Sequence, residues 1–179
     1  MAKLLYSATI SLDGYLAGAG GDMHWLNDHL GPNPQVDELV ANIGAILVGR
    51  RTYDGDDPHK GTEQEGAFEG TWHGPQFVLT HRPPDDAPPD VTFVADLESA
   101  VAQALAAAGD KYVNILGADV GRQCLEAGLL DEILVCVAPV LLGDGVRFFD
   151  HPGGTNVRLE PVSVTPVPHV TNLWFRVPR

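Results

Sequence analysis

The residues of this chain best suited to chemistry come directly after apolar runs. Gly49-Arg50-Arg51-Thr52 follows Ala45-Ile46-Leu47-Val48. A strand that ends in glycine can open a helix whose free N–H groups face an anion. Two guanidiniums there add fixed charge and bidentate donors. The same residues also suit a solvated basic turn. Thr80-His81-Arg82 follows Gln76-Phe77-Val78-Leu79. Its hydroxyl, imidazole and guanidinium together could hold a dianionic phosphate, and a plain surface loop fits them as well. Gly117-Ala118-Asp119-Val120 follows Tyr112 to Leu116. The glycine allows close backbone approach, and a helix start supplies N–H donors and a positive dipole end. The spacing is not GxGxxG, so no Rossmann fingerprint is present. Asp119 reads better as a first-turn helix residue than as a ligand contact. If the loops share one rim, they could cradle an extended dinucleotide.

Asp13 is the leading polar candidate for acid–base work or substrate contact. It follows the first strand, and burial could raise its pKa into a useful range. The alternative is an ordinary Asp13-Gly14 turn, with the carboxylate bonded to its own backbone. Trp25 and Tyr53 offer flat surfaces for an aromatic substrate, although core packing is the commoner role of such rings. His24 and His29 are five apart, off the same-face helical spacing, so no metal is expected. Asp56, Asp57 and His59 read as solvated loop residues. Cys124 and Cys136 have no CxxC spacing and read as small buried hydrophobes.

These residues need a scaffold. Leu4 to Ile10 predicts a strand ending at Asp13-Gly14. Gly18 to Asp22 is Gly-rich and reads as mobile. A helix over Gln35 to Asn42 leads into the strand Ala45 to Val48, and residues 54–74 form the longest irregular stretch. Such loops are usually functional or disordered. Further strands are expected at Gln76 to Thr80, Val91 to Val94 and Tyr112 to Leu116. Asp96 can cap a helix over Leu97 to Ala108 that closes at Gly109. A second helix runs from Asp119 to Ala127, and Ile133 to Val140 is a long apolar strand. Pro161, Pro166 and Pro168 place the last strands at an antiparallel edge. This order predicts one α/β domain, with a mostly parallel sheet flanked by helices and antiparallel C-terminal strands. Ligands of such sheets bind beyond the carboxyl ends of the strands.

The bulk numbers set the outer limits. The 179 residues are 44% hydrophobic and 20% charged, which is ordinary for a globular protein. Eleven basic and 24 acidic side chains give a formal charge of −13. That balance disfavours nucleic acid and acidic membrane surfaces. The N-terminus reads as a first strand, not a signal peptide, and no apolar run is long enough to span a membrane. A cytoplasmic setting is the expectation.

Four blocks make the chain recognisable: SLDGYLAG at 11–18, LVGRRTYD at 47–54, FVLTHRP at 77–83, and LGADVGRQCLEAGLLDEILVCVAPVLLGDGVRFFD at 116–150. In this order they resemble the dihydrofolate-reductase-like superfamily. More closely, they resemble the branch of the riboflavin-biosynthesis reductase domain and its stand-alone relatives. The resemblance implies NADPH as hydride donor and a pterin-like or aminopyrimidine-like heterocycle as acceptor, as in 5-amino-6-(5-phosphoribosylamino)uracil reductase. It places Gly49, Arg50, Arg51 and Thr52 at the cofactor phosphates, and Thr80 and Arg82 near the 2′-phosphate. Gly117, Ala118, Asp119 and Val120 fall at the pyrophosphate and nicotinamide side. Ala8 and the loop from Asp13 through Gly14 to Gly18 border nicotinamide and substrate. It also implies a homodimer, with Ile133 to Val140 contributing to the interface. The chain departs from the branch at Leu116, where a Gly-Gly pair is common, and at Ile115, where a substrate-binding glutamate is typical. A nucleotide-binding module without catalysis is the alternative.

Overall fold

The computed structural model describes residues 1–55, 57, 59–154 and 156–178. Among the described residues, ten strands and four α-helices follow one another along the chain. The first strand, β1 (Lys3–Ser11), is followed by β2 (Tyr15–Ala17), α1 (Pro34–Ala41), β3 (Ile43–Gly49) and α2 (Arg50–Tyr53). Next come β4 (Gln76–Leu79), β5 (Val91–Val94), α3 (Leu97–Ala108), β6 (Tyr112–Leu116) and α4 (Ala118–Glu126). The chain continues through β7 (Glu132–Ala138), β8 (Val146–Arg147), β9 (Glu160–Pro166) and β10 (Thr171–Arg176).

Eight strands form one sheet in the order β5-β4-β3-β6-β1-β7-β10-β9. Pairing is parallel from β5 to β7, and β10 and β9 add antiparallel. The edge strand β9 holds Pro161 and Pro166, where a missing N–H interrupts no central ladder. The expected α/β architecture is therefore present. Strand β7 lies between β1 and β10 and is buried along most of its length.

Alternate side chains of the parallel strands feed two cores on opposite sheet faces. Leu4, Tyr6, Leu47, Val113 and Ile115 join α3 and α4 residues such as Ala104 and Cys124. Leu5, Ile46, Val48, Val78 and Leu134 join Leu39 of α1 and Trp72. Helix α3 begins where the Asp96 carboxylate accepts the Ser99 N–H at 2.8 Å and ends at Gly109, as the sequence predicts. Helix α1 is capped by Asn33, which also exchanges amide hydrogen bonds of 2.9 and 2.8 Å with Asn172 of β10. That reciprocal pair pins α1 to the sheet.

Several local expectations need correction. Residues Gly18–Asp22 hold a 3-10 turn over Ala19–Gly21 and a bond from Gly18 N–H to the Asp22 carbonyl at 2.8 Å. A second 3-10 helix, His24–His29, was not anticipated. The long irregular stretch is not a free loop. The Trp72 indole N–H donates to the Ile43 carbonyl at 3.2 Å, and Ala67 and Phe68 pack on the second core. Both cysteines are buried free thiols. Among the described residues, no helix is long and apolar enough to cross a membrane.

The amino-terminal ends of β1, β6 and β7 meet at buried Glu132. Its carboxylate accepts from Lys3 Nζ at 2.7 Å, Trp174 Nε1 at 2.8 Å and Tyr112 Oη at 3.1 Å. Burial alone would raise the Glu132 pKa, but these bonds and the Lys3 charge outweigh it and hold it below the ordinary 4.5. A depressed pKa contributes stability above the unfolded value and loses it as pH falls through the folded value. Glu132→Gln should cost about 1–3 kcal/mol near neutral pH. The deficit should shrink on acidification below the ordinary glutamate range, as read by denaturant titrations across pH.

Candidate functional site

Parallel pairing brings the carboxyl ends of β3, β4 and β6 to one edge of the sheet. Arg50, the first residue of α2, donates from Nη1 to the Arg82 carbonyl at 3.3 Å. Its guanidinium lies 5.6 Å from the Phe93 ring centroid and its Nε pairs with Asp54. Arg50 is thus a tie between the first and second motifs. Within the second, Thr80 N–H donates to the Val94 carbonyl at 2.8 Å, and the Thr80 hydroxyl accepts the Arg82 N–H at 3.1 Å. Arg82 itself is exposed.

The first and third motifs are in contact. Gly117 has φ +96°, and a Cβ there would lie 2.3 Å from Thr52 Oγ1. Only glycine satisfies both the conformation and the space. A Cβ on Gly49 would in turn meet Val120 at 3.2 Å. Helix α4 starts at Ala118 with no side chain capping its first N–H groups. The three motifs therefore share one rim. Arg51 is exposed on it, and its charge reaches Asp119. Asp119 is held below its usual pKa first by Arg122, with lesser help from Gln123 and Arg51. Its oxygens accept from Arg122 and Gln123, both at 2.8 Å, which fits a first-turn helix residue. The Val120 side chain is buried in the first core, which leaves its backbone as the part that can face the rim.

Asp13 also departs from expectation. Its carboxylate accepts from Ser11 Oγ at 2.6 Å, Leu142 N–H at 3.1 Å and Gly143 N–H at 2.7 Å. These bonds, the Ser11 hydroxyl first, lower its pKa to about 2. A raised pKa was required for proton relay, so Asp13 is a clasp and not an acid. Gly14 completes the turn, donating to the Ser11 carbonyl at 3.0 Å and accepting from Phe148 N–H at 2.9 Å. The short β2–β8 ladder continues the same junction.

A cleft of about 860 Å³ opens beside the rim, between α1, the 3-10 helix His24–His29, Asp57 and residues 59–71. Ala8, Thr52, Tyr53 and Gly117 line it, as do Leu116 and Leu134 from the sheet. Tyr53 stands edge-on to Phe93 at 5.7 Å. Trp25 is corrected: it packs beside Cys136, Ala138 and Val170, while Met23 and Leu26 face the cleft instead. Ile115 points into the first core, so a side chain at that position does not reach the cleft.

Two buried polar groups beside the cleft were not singled out from sequence. Ser7 Oγ donates to Asn114 Oδ1 at 2.8 Å, and both residues are buried. Asn114 Nδ2 has no hydrogen-bond partner. A serine and an asparagine interrupting apolar strands were the available signal. His59 is not solvated as expected. Its Nε2 is buried without a hydrogen-bond partner, 3.9 Å from Glu69 Oε1, and the ring lines the cleft. Asp57 accepts from the His59 and Gly66 amides, both at 2.8 Å, so it too is structural. Asp56 lies outside the described residues. Burial pushes the Cys136 thiol up to about 11, so the cysteine in the cleft wall is unreactive near neutral pH.

A mostly parallel sheet with antiparallel C-terminal strands, flanked by helices, is the dihydrofolate-reductase-like arrangement. The chain belongs to the RibD C-terminal domain family, whose sequence pattern matches residues 2–173. A Shewanella sp. PV-4 protein named for riboflavin biosynthesis superposes with a TM-score of 0.76 at 24% identity, over 100% of both chains. A Thermotoga maritima diaminohydroxyphosphoribosylaminopyrimidine deaminase/5-amino-6-(5-phosphoribosylamino)uracil reductase gives 0.72 at 19% identity. That alignment covers 99% of this chain and 57% of the bifunctional one. YwjB, an uncharacterised Bacillus subtilis protein, is 27% identical over 163 residues, 88% of each chain.

Two outcomes follow from this geometry. Gly117→Ala should destabilise by at least about 1 kcal/mol, and adding Thr52→Ala should recover part of the loss by removing the clash but not the φ strain. Thermal denaturation of the two variants measures both effects. Asp13→Ala should speed amide exchange at Leu142 and Gly143, whereas exchange in β4 should stay unchanged.

Proposed function

We propose that this protein is an NADPH-dependent reductase that delivers a hydride to a small pterin-like or aminopyrimidine-like heterocycle. The observation that carries this reading is the meeting of the three motifs on one rim, through Arg50 with Arg82 and Thr52 with Gly117. The rim opens into an apolar cleft of substrate size. Membership of the RibD C-terminal domain family supports it, as do the reductase names of structural relatives, including yeast Rib7.

The residues present fit the coenzyme. Arg51 and the Thr52 hydroxyl would hold phosphate oxygens, and the uncapped start of α4 would donate N–H groups to the pyrophosphate. Arg82, exposed beside Thr80, would serve the 2′-phosphate. Bound there, nicotinamide supplies the hydride, and the protein supplies position and dryness. Ser7, Ala8 and Thr9 form the floor beneath the reacting ring, while Leu16, Met23 and Leu26 exclude water.

Fluorescence titration should detect NADPH binding, and absorbance should then fall with a suitable heterocycle. Binding without turnover across a broad panel would favour a non-catalytic nucleotide-binding module. No binding would remove both readings. Arg51→Ala should weaken NADPH by about tenfold or more; a much smaller loss for NADH would assign Arg51 to the 2′-phosphate alongside Arg82, and equal losses would assign it to the pyrophosphate.

A further inference from the structure

The sheet face under the cleft is mostly apolar, and its polar exceptions lie on β1 and β6. Strand β1 sets Ser7 and Thr9 on that face, beside Val48, Leu116 and Leu134 of other strands. One layer deeper, Asn114 of β6 stands between Leu5 of β1 and Ile46 of β3, and all three are fully buried. Ser7 is 8% exposed, and what it exposes lines the cleft. Its hydroxyl donates to Asn114 Oδ1 at 2.8 Å. A serine hydroxyl has one proton to give, so the Ser7 oxygen offers the cleft only lone pairs.

Stability does not account for Asn114. Its Nδ2 is buried without a hydrogen-bond partner. Leaving such a donor unpaired costs at least what one made hydrogen bond returns. Leucine branches at the same carbon, and beside Leu5 and Ile46 it would leave no polar atom to satisfy. What the amide does, and leucine cannot, is hold the Ser7 proton away from the cleft.

We propose that Ser7 recognises the substrate, its oxygen accepting from a ring N–H or amino group of the heterocycle, and that Asn114 is the positioning residue that keeps the hydroxyl an acceptor. This rests on the reductase reading and names the polar group that the substrate turns toward β1. A carbonyl oxygen or an unprotonated ring nitrogen placed there would meet lone pair against lone pair.

The test uses the full chain saturated with NADPH. The probes are 5,6-diaminouracil and 7,8-dihydropterin, each beside its N-methylated forms. In the unaltered protein, methylation at one N–H position of at least one probe should weaken binding about tenfold. The same methyl group should cost much less in Ser7→Ala. Ser7→Ala and Asn114→Leu should each weaken that unmethylated probe about fivefold or more. The double variant should be no weaker than Ser7→Ala, because both changes act on one bond. Asn114→Leu should keep or raise the thermal midpoint while losing affinity, a split that a purely structural asparagine would not give. Tolerance of every methyl group by the unaltered protein overturns the inference, even if a variant does not fold. Additive losses in the double variant overturn it too, as does failure of both probes to bind the NADPH complex. A larger loss for NADPH than for the probes also overturns it and assigns Ser7 to the coenzyme. Failure of the unaltered protein to bind NADPH would instead strike the reductase reading, so the two failures are distinguishable.

Discussion

The rim depends on how closely two loops can approach above paired parallel strands. Val48 of β3 stands beside Leu116 of β6 in the sheet. Neighbouring strands lie about 4.8 Å apart, so whatever follows them must share one narrow space. Thr52 and Gly117 divide it, with the threonine side chain occupying the volume a Cβ on the glycine would need. Because the glycine yields, the start of α4 and the exposed Arg51 can face the same solvent. Arg50 then extends the contact to the Arg82 carbonyl. A rim with several anion donors comes from one steric concession.

The sheet divides its labour between two faces. The face covered by α3 and α4 is packed with aliphatic side chains and ring pairs such as Tyr6 with Phe148, stacked at 4.4 Å. The other face is covered incompletely, by the short α1, Asp57 and residues 59–71, and the cleft lies in what they leave open. Buried polar groups collect there: Ser7, Asn114 and His59. A buried amide without a partner costs stability.

Local signals account for what the sequence made legible. Helix α3 could be read from end to end because Asp96, the alanine periodicity and Gly109 all act within one turn of their targets. The same holds for β6 and for proline on the edge strand. The three anion motifs were visible because each sits at a strand end. Their contacts were not, since Arg50 meets Arg82 across 32 residues. Asp13 was misread for the same reason. Its partners Leu142 and Gly143 come 129 and 130 residues later, and no local pattern reveals that they will occupy it. The β2–β8 ladder is equally non-local and too short to show periodicity. Trp25, Val120 and His59 turned on which way a side chain faces, which short irregular segments do not encode.

The Asp13 clasp also bears on the order in which the molecule assembles. It joins the first loop of the chain to a segment that emerges only after β7, so it cannot form until β7 has inserted beside β1. Closing so long a span carries the full entropic cost of a distant encounter and offers few contacts in return. Loss of the clasp would free the Asp13 loop from the segment after β7 while every backbone pairing of the eight-stranded sheet stayed in place.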